Sequence, residues 1–517
     1  MEQKQFNVLV RRELSRRQFI RQAACAAVGT AAMSSAIRDL RFMNAAVAQS
    51  NITDYKALVC IFLAGGNDSN NLIIPTLQSE YNNYAAIRTP ILAIPQANIL
   101  SLDGAYAPVN NDGHTYGLHP CCPELRTLFG QGKLAMLLNT GTLAYPMTKT
   151  QYLNTPSQRP PQLFSHADQV TQWETSVPDQ PALTGWGGRC ADLLNAVQPN
   201  APVSLSVSLA GANTFEVGSV VSQYSVSTGG AVNLQGVSGA RLTALTNILG
   251  LQYPNLQVQA YSTVADHAIN TGALLNSAIL PTADPAPPAT TQFWTTPFPG
   301  STPFQVVTPT SGAKFNSSLG PQLKMIARLI EAGHRAAGSP SNGFGMKRQI
   351  FFCQVGGYDL HSGQTDAPAG GSVLNGSHSN LLAEISQCMN SFQAAMDQIA
   401  TLHGDPDFSK RVTAFTCSDF GRTFQGNGQG SDHGWGNHHM ILGGAVHGKQ
   451  TYGKFPTLTL SGPDDTSTSN GTGRWIPSTA CDQYFATLAT WFGVDAGNLT
   501  TVFPNLGRFS TANLGFI

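Results

Sequence analysis

A chain of 517 residues with 11% charged side chains and a formal net charge of zero has less than half the charge density of an average soluble protein, about 25%. Its surface must be wetted largely by Ser, Thr, Asn, Gln and backbone. No Lys/Arg-rich run follows residue 41, which excludes the electrostatic footprint of a nucleic-acid binder.

In chain order the first feature is an address. Ser15-Arg16-Arg17-Gln18-Phe19-Ile20-Arg21 resembles the twin-arginine export consensus, Ala23 to Ile37 is a weakly apolar stretch, and Ala46-Val47-Ala48 offers an A-x-A cleavage site. Residues 1–48 are therefore expected to be a twin-arginine signal peptide. The mature protein, 49–517, is expected in the periplasm or secreted, with the twin-arginine export machinery as its first partner. Removing the leader leaves 21 basic and 26 acidic residues, a formal charge of −5. Nothing later in the chain reaches the roughly 18 apolar residues that a membrane span needs, so no transmembrane segment is expected in the mature chain.

Short apolar runs at Ala57 to Leu63, Leu134 to Leu138, Gln349 to Val355 and Val412 to Cys417 suit strands buried on both faces of a sheet. Cys60, Cys353 and Cys417 lie within them and are expected to be buried small hydrophobes rather than ligands. Apolar residues return every three or four positions at 322–335 and 378–402, the pattern of helices. Strands alternating with helices predict one α/β domain with a doubly wound, largely parallel sheet. Residues 197–312 look different. They begin with an alternating stretch typical of an exposed hairpin and end Pro/Thr-rich, which predicts an insertion or cap.

Ligands of open α/β sheets bind beyond the carboxyl ends of the strands. The first strand ends in "GGNDSNN" with Asp68, the third in "GGYDLHSGQ" with Asp359 and His361, and the fourth in "SDFGRT" with Asp419 and Arg422. Each delivers an Asp at the same kind of place. Residues 418–440, "SDFGRTFQGNGQGSDHGWGNHHM", add Asp432, His433, His438 and His439 on a Gly-rich loop. At most one of His438 and His439 can face the site if a strand begins there. Carboxylates with imidazoles, and no clustered Cys, point to a divalent ion such as Zn, Mn, Fe or Mg. In "LFSHADQVTQWE", Ser165 either caps a helix or presents a hydroxyl, and His166 is a further candidate ligand or base.

These motifs in this order resemble an uncharacterised family of twin-arginine-exported bacterial proteins (domain-of-unknown-function family 1501), distantly related to the alkaline phosphatases and sulfatases. The resemblance implies an alkaline phosphatase-like fold and hydrolysis of a phosphate or sulfate ester, with a small-molecule or glycan ester as substrate. By position it implies Asp68, Asp359, His361, Asp419 and His433 as metal ligands and Ser165 as nucleophile, with Arg422 steadying charge on the ester oxygens. Phe420 departs from the superfamily pattern, which has His there, and Asp432 or His166 would then complete the metal site. Two alternatives remain from sequence: a non-catalytic, metal-stabilised binding protein of the cell envelope, and a serine hydrolase built on Ser165.

Overall fold

The four apolar runs lie in one sheet in the computed structural model, which describes residues 52–198, 201–231, 234, 236–280, 297–298, 304–338 and 342–517. The expected leader, 1–48, lies outside the described residues, as does most of the Pro/Thr-rich stretch. The sheet strands are β1 (Lys56–Leu63), β2 (Leu134–Gly141), β3 (Ser206–Ser208), β4 (Tyr224–Ser225), β5 (Arg348–Val355), β6 (Val412–Ser418), β7 (Asn437–Gly443), β8 (Thr451–Gly453) and β9 (Thr479–Ala480). Their spatial order is β8-β2-β7-β6-β1-β5-β3-β4, with β9 also beside β2. Every pairing is parallel except those that β7 makes with β6 and β2. The expected largely parallel sheet is present, and β7 is reversed because residues 419–436 turn the chain straight back beside β6.

Alternation along β1 sorts its side chains between two cores. Ala57, Val59, Ile61 and Leu63 face helices Pro123–Gly130, Leu319–His334 and Ser377–His403. Leu58, Cys60 and Phe62 face helices Trp186–Leu194 and Cys481–Phe492. Helices therefore cover both faces, and each buried Leu, Ile or Phe contributes about 1.5–3 kcal/mol. Helix Leu319–His334 shows why the sequence chooses this form: Leu319, Leu323, Ile326 and Ile330 recur on one stripe and all are buried. Cys60, Cys353 and Cys417 are buried, as expected, and the eight described cysteines are all free.

The start of the 197–312 segment is not an exposed hairpin. Ser206–Ser208 is buried and pairs in parallel with Ile350–Phe352, extending the sheet beyond β5. Past β4, helices Ala240–Leu249 and Leu256–Ala278 line a cavity together with Tyr224 and Ser225. Among the described residues no helix is long and apolar enough to cross a membrane.

Glu216, following β3, is wholly buried; Asn213 donates to its Oε2 at 2.9 Å and Oε1 has no partner among the described residues. Burial lifts its carboxyl to about 8, against the hydrogen bond from Asn213. Unfolding returns the group to its ordinary value of 4.5. Between those values the folded chain holds a proton that the unfolded chain has released, so stability falls as pH rises across this window. Glu216→Gln is expected to raise the thermal midpoint by about 2 °C at pH 8 and to leave it unchanged at pH 4. Calorimetry at the two pH values checks this.

Candidate metal centre

Because β6, β1 and β5 are adjacent and parallel, the loops after them open side by side at one edge of the sheet. Gly65, after β1, ties them together. Its N–H donates to Asp419 Oδ1 at 2.9 Å and its carbonyl accepts from Arg422 at 3.2 Å. With φ at +115° and Asp359 N only 2.3 Å from where a Cβ would stand, no other residue fits there. The 419–436 loop folds back as an irregular hairpin: Thr423 N donates to Asp432 O at 2.9 Å, Gly434 N donates to Gly421 O at 2.7 Å, and Arg422 bridges to His433. At Gly430 the carbonyl of Leu360 lies 2.2 Å from an added Cβ, so this loop presses directly on the one carrying His361. His166 enters from the first turn of helix His166–Thr175.

Four side chains meet at this edge. Nε2 of His433 lies 3.1 Å from Nε2 of His166 and 2.9 Å from Nε2 of His361. The Asp359 carboxylate stands 3.5 Å from His166 Nε2, 3.2 Å from His361 Nε2 and 3.4 Å from His433 Nε2. His166, Asp359 and His433 form a group that could hold a metal ion. His361 adds an imidazole on the open flank.

The other ring nitrogen of each histidine is anchored outward. Nδ1 of His166 meets Asp419 Oδ2 at 2.7 Å, Nδ1 of His361 meets Asp432 Oδ1 at 2.8 Å, and Nδ1 of His433 meets the Phe164 carbonyl at 2.7 Å. Carboxylate and carbonyl partners accept, so the Nδ1 atoms carry protons, and in the neutral form of each ring Nε2 presents a lone pair to the centre. Lone pairs facing one another and a carboxylate at these distances repel unless a cation stands between them. Bonds of about 2.0–2.1 Å to a tetrahedral ion set ligand atoms about 3.3 Å apart, which matches the spacings that His433 and Asp359 make with their neighbours in the cluster. Outward Nδ1 hydrogen bonds of this kind orient metal-binding imidazoles and raise their basicity. The donor set fits a divalent ion.

The electrostatics favour ionised carboxylates and a neutral His433. Burial alone would raise Asp359, but the Arg422 guanidinium at 2.8 Å overrides it and holds the carboxyl below its ordinary value. Asp432 is likewise held low, against burial, by Asn427 and His361. Burial pulls His433 below its ordinary value, with Arg422 and His166 acting the same way and the Phe164 carbonyl opposing. The hydrogen bond that His166 donates to Asp419 holds its imidazole above its ordinary value, so a metal must displace a proton there. Phe420, fully buried, packs its ring 4.7 Å from both the His166 and His433 rings. An apolar wedge stands between two imidazoles and fixes the angle between them. Side chains of Asp359 and His361 remain 46% and 45% exposed, leaving the centre open to solvent on one side.

Of the residues singled out from sequence, Asp359, His361, His433 and His166 converge. Asp419 and Asp432 stand one layer behind, each on an imidazole Nδ1 rather than facing the shared centre. Asp68 is elsewhere: it is buried in an ion pair with Arg88 and accepts from Gln364 and Asn70. Ser165 sits at the start of the helix with its hydroxyl donating to Asp168 at 2.6 Å. Arg422 is only 1% exposed, under Asp359. Neither His438 nor His439 faces the centre. His438 accepts from the Asn139 N–H, and His439 packs on Trp173. Sequence reasoning missed the Phe164 carbonyl, which no side-chain identity could have signalled. It also missed Asn427, whose Nδ2 donates to Asp432 Oδ1 at 2.9 Å. Asp419→Asn, which keeps shape but removes the charge behind His166, is expected to weaken metal binding about 10- to 100-fold without changing the far-UV spectrum. Competition with a chelating dye measures it.

Fold and site together define an α/β protein with a histidine/aspartate cluster suited to a metal at the carboxyl edge of its sheet. Residues 344–469 match the model of a family described as "Protein of unknown function (DUF1501)". That segment contains Asp359, His361, Asp419, Arg422, Asp432 and His433, and leaves His166 outside. No curated protein matches the chain.

Proposed function

We propose that this protein is a metal-dependent hydrolase of phosphate or sulfate esters, built on an alkaline phosphatase-like fold and exported by the twin-arginine route. The observation that carries the reading is the convergence of three Nε2 lone pairs and the Asp359 carboxylate, each imidazole braced from behind, at a solvent-open edge of the sheet. Three imidazoles with one carboxylate favour Zn, Fe or Mn over Mg, which prefers oxygen ligands. A divalent ion bound there supplies Lewis acidity toward an ester oxygen and makes a nearby water more acidic.

The chain's own residues hold and tune that centre. His166, His361 and His433 donate through Nε2, Asp419 and Asp432 keep two of the rings in the required tautomer, and Arg422 keeps Asp359 ionised and pointed inward. Phe420 excludes water from the inner side. The Ser165 hydroxyl donates to Asp168 and is hydrogen-bonded to no imidazole among the described residues, which favours water over Ser165 as the attacking group and takes support from a serine-hydrolase reading. The open flank at Asp359 and His361 favours a substrate-binding centre over a closed structural one.

Protein purified through its native export route, assayed on 4-nitrophenyl phosphate and sulfate before and after chelation, tests the proposal. Turnover that disappears on chelation and returns with a divalent metal is expected. Turnover indifferent to chelation, or none of either ester by metal-loaded protein, contradicts it.

A further inference from the structure

Arg422, the cation expected to meet a substrate's oxygens, is committed beneath the site: its nitrogens go to Asp359, the Gly65 carbonyl and the Ser431 carbonyl. A different guanidinium contacts two residues that build the centre. Arg474 donates from Nε to the His433 carbonyl at 2.8 Å and lies 4.5 Å over the Phe164 ring. Those are the two residues joined through His433 Nδ1 and the Phe164 carbonyl. Its backbone is fixed as well, since Thr466 N donates to its carbonyl at 3.1 Å and the next residue, Trp475, bridges to Asp465.

Arg474 is half-buried, yet no hydrogen bond or ion pair engages its two terminal nitrogens among the described residues. The other arginines of this region are paired, Arg88 with Asp68 and Arg422 with Asp359. A divalent ion and Arg422 would balance Asp359, Asp419 and Asp432, and Arg474 has no carboxylate partner among the described residues. A planar fork held by its Nε and by stacking, with both terminal amino groups free, is pre-organised for two parallel hydrogen bonds to an oxyanion.

We propose that Arg474 is the anion-binding residue of this site and takes the tetrahedral oxyanion, phosphate or sulfate, of the substrate. The inference rests on the hydrolase reading for the substrate's identity and on the geometry of Arg474 for the contact. Calorimetric titration of the metal-loaded full chain with inorganic phosphate and with inorganic sulfate tests it, alongside Arg474→Gln and Arg474→Lys and with metal content measured on each preparation. Arg474→Gln is expected to weaken anion binding at least about tenfold at unchanged metal content. Arg474→Lys, which keeps charge but not the fork, should fall between. The ratio of phosphate to sulfate affinity in the parent identifies which ester class the site suits. Equal affinity in parent and Arg474→Gln, or no anion binding by the parent, overturns the proposal. Loss of metal together with anion affinity in Arg474→Gln also overturns it, because Arg474 would then act only through the His433 carbonyl. A parent without metal whose anion binding still depends on Arg474 sinks the hydrolase reading and leaves this contact standing.

Discussion

His433→Ala is expected to abolish stoichiometric metal binding, lowering affinity by more than about 100-fold. His433 is the middle member of the cluster: its Nε2 is within 3.1 Å of His166 and within 2.9 Å of His361, so its removal separates the other two imidazoles. Asp359→Ala should cause a similar loss and also leave buried Arg422 without its carboxylate. The two substitutions together should cost less than the sum of the single effects, because both remove ligands from one ion. Metal titration of the parent, the single variants and the double variant measures the coupling. Strictly additive losses would assign His433 and Asp359 to separate sites.

Asp68→Ala is expected to act on the fold instead, destabilising the protein by about 3–5 kcal/mol while the metal content of the folded fraction stays at the parental level. The reason is Arg88, fully buried on helix Gln78–Leu92 with Asp68 as its only carboxylate among the described residues. Removing one partner of a buried pair leaves the other charge uncompensated. Burial would raise the Asp68 carboxyl, but Arg88, His378 and the hydrogen bond from Gln364 hold it below its ordinary value. The pair's contribution is therefore present above the ordinary carboxylate value and is lost only as pH falls through the lower folded one. Denaturant unfolding at neutral pH checks the loss. A variant that is as stable as the parent but depleted of metal would move Asp68 into the centre.

Asp68, Asp359 and Asp419 looked equivalent in the sequence, each in the loop after a buried strand, and this shows how far such reading reaches. The strands were legible because β1, β5 and β6 are buried on both faces and so are almost continuously apolar. Strand β3 was not, because Ser206 and Ser208 flank Val207 and mimic the alternation of an exposed hairpin although all three are buried. The edge of the sheet where ligands gather followed from strand direction, and Asp359, His361 and His433 were found on it. Which carboxylates face the centre did not follow. That depends on partners distant in sequence: Arg88 captures Asp68, while the imidazoles of His166 and His361 turn Asp419 and Asp432 into supports. Phe420 was legible only as a departure from a pattern, and its role as a wedge between two imidazoles needs the folded chain.

The most direct test of the account is X-ray absorption spectroscopy at the metal edge of the protein as purified from its native export route. One ion per chain is expected, with scattering from three imidazoles and one carboxylate oxygen at about 2.0–2.1 Å. Absence of a stoichiometric ion, or a first shell without imidazole, would contradict the central claim that His166, His361, His433 and Asp359 hold one metal.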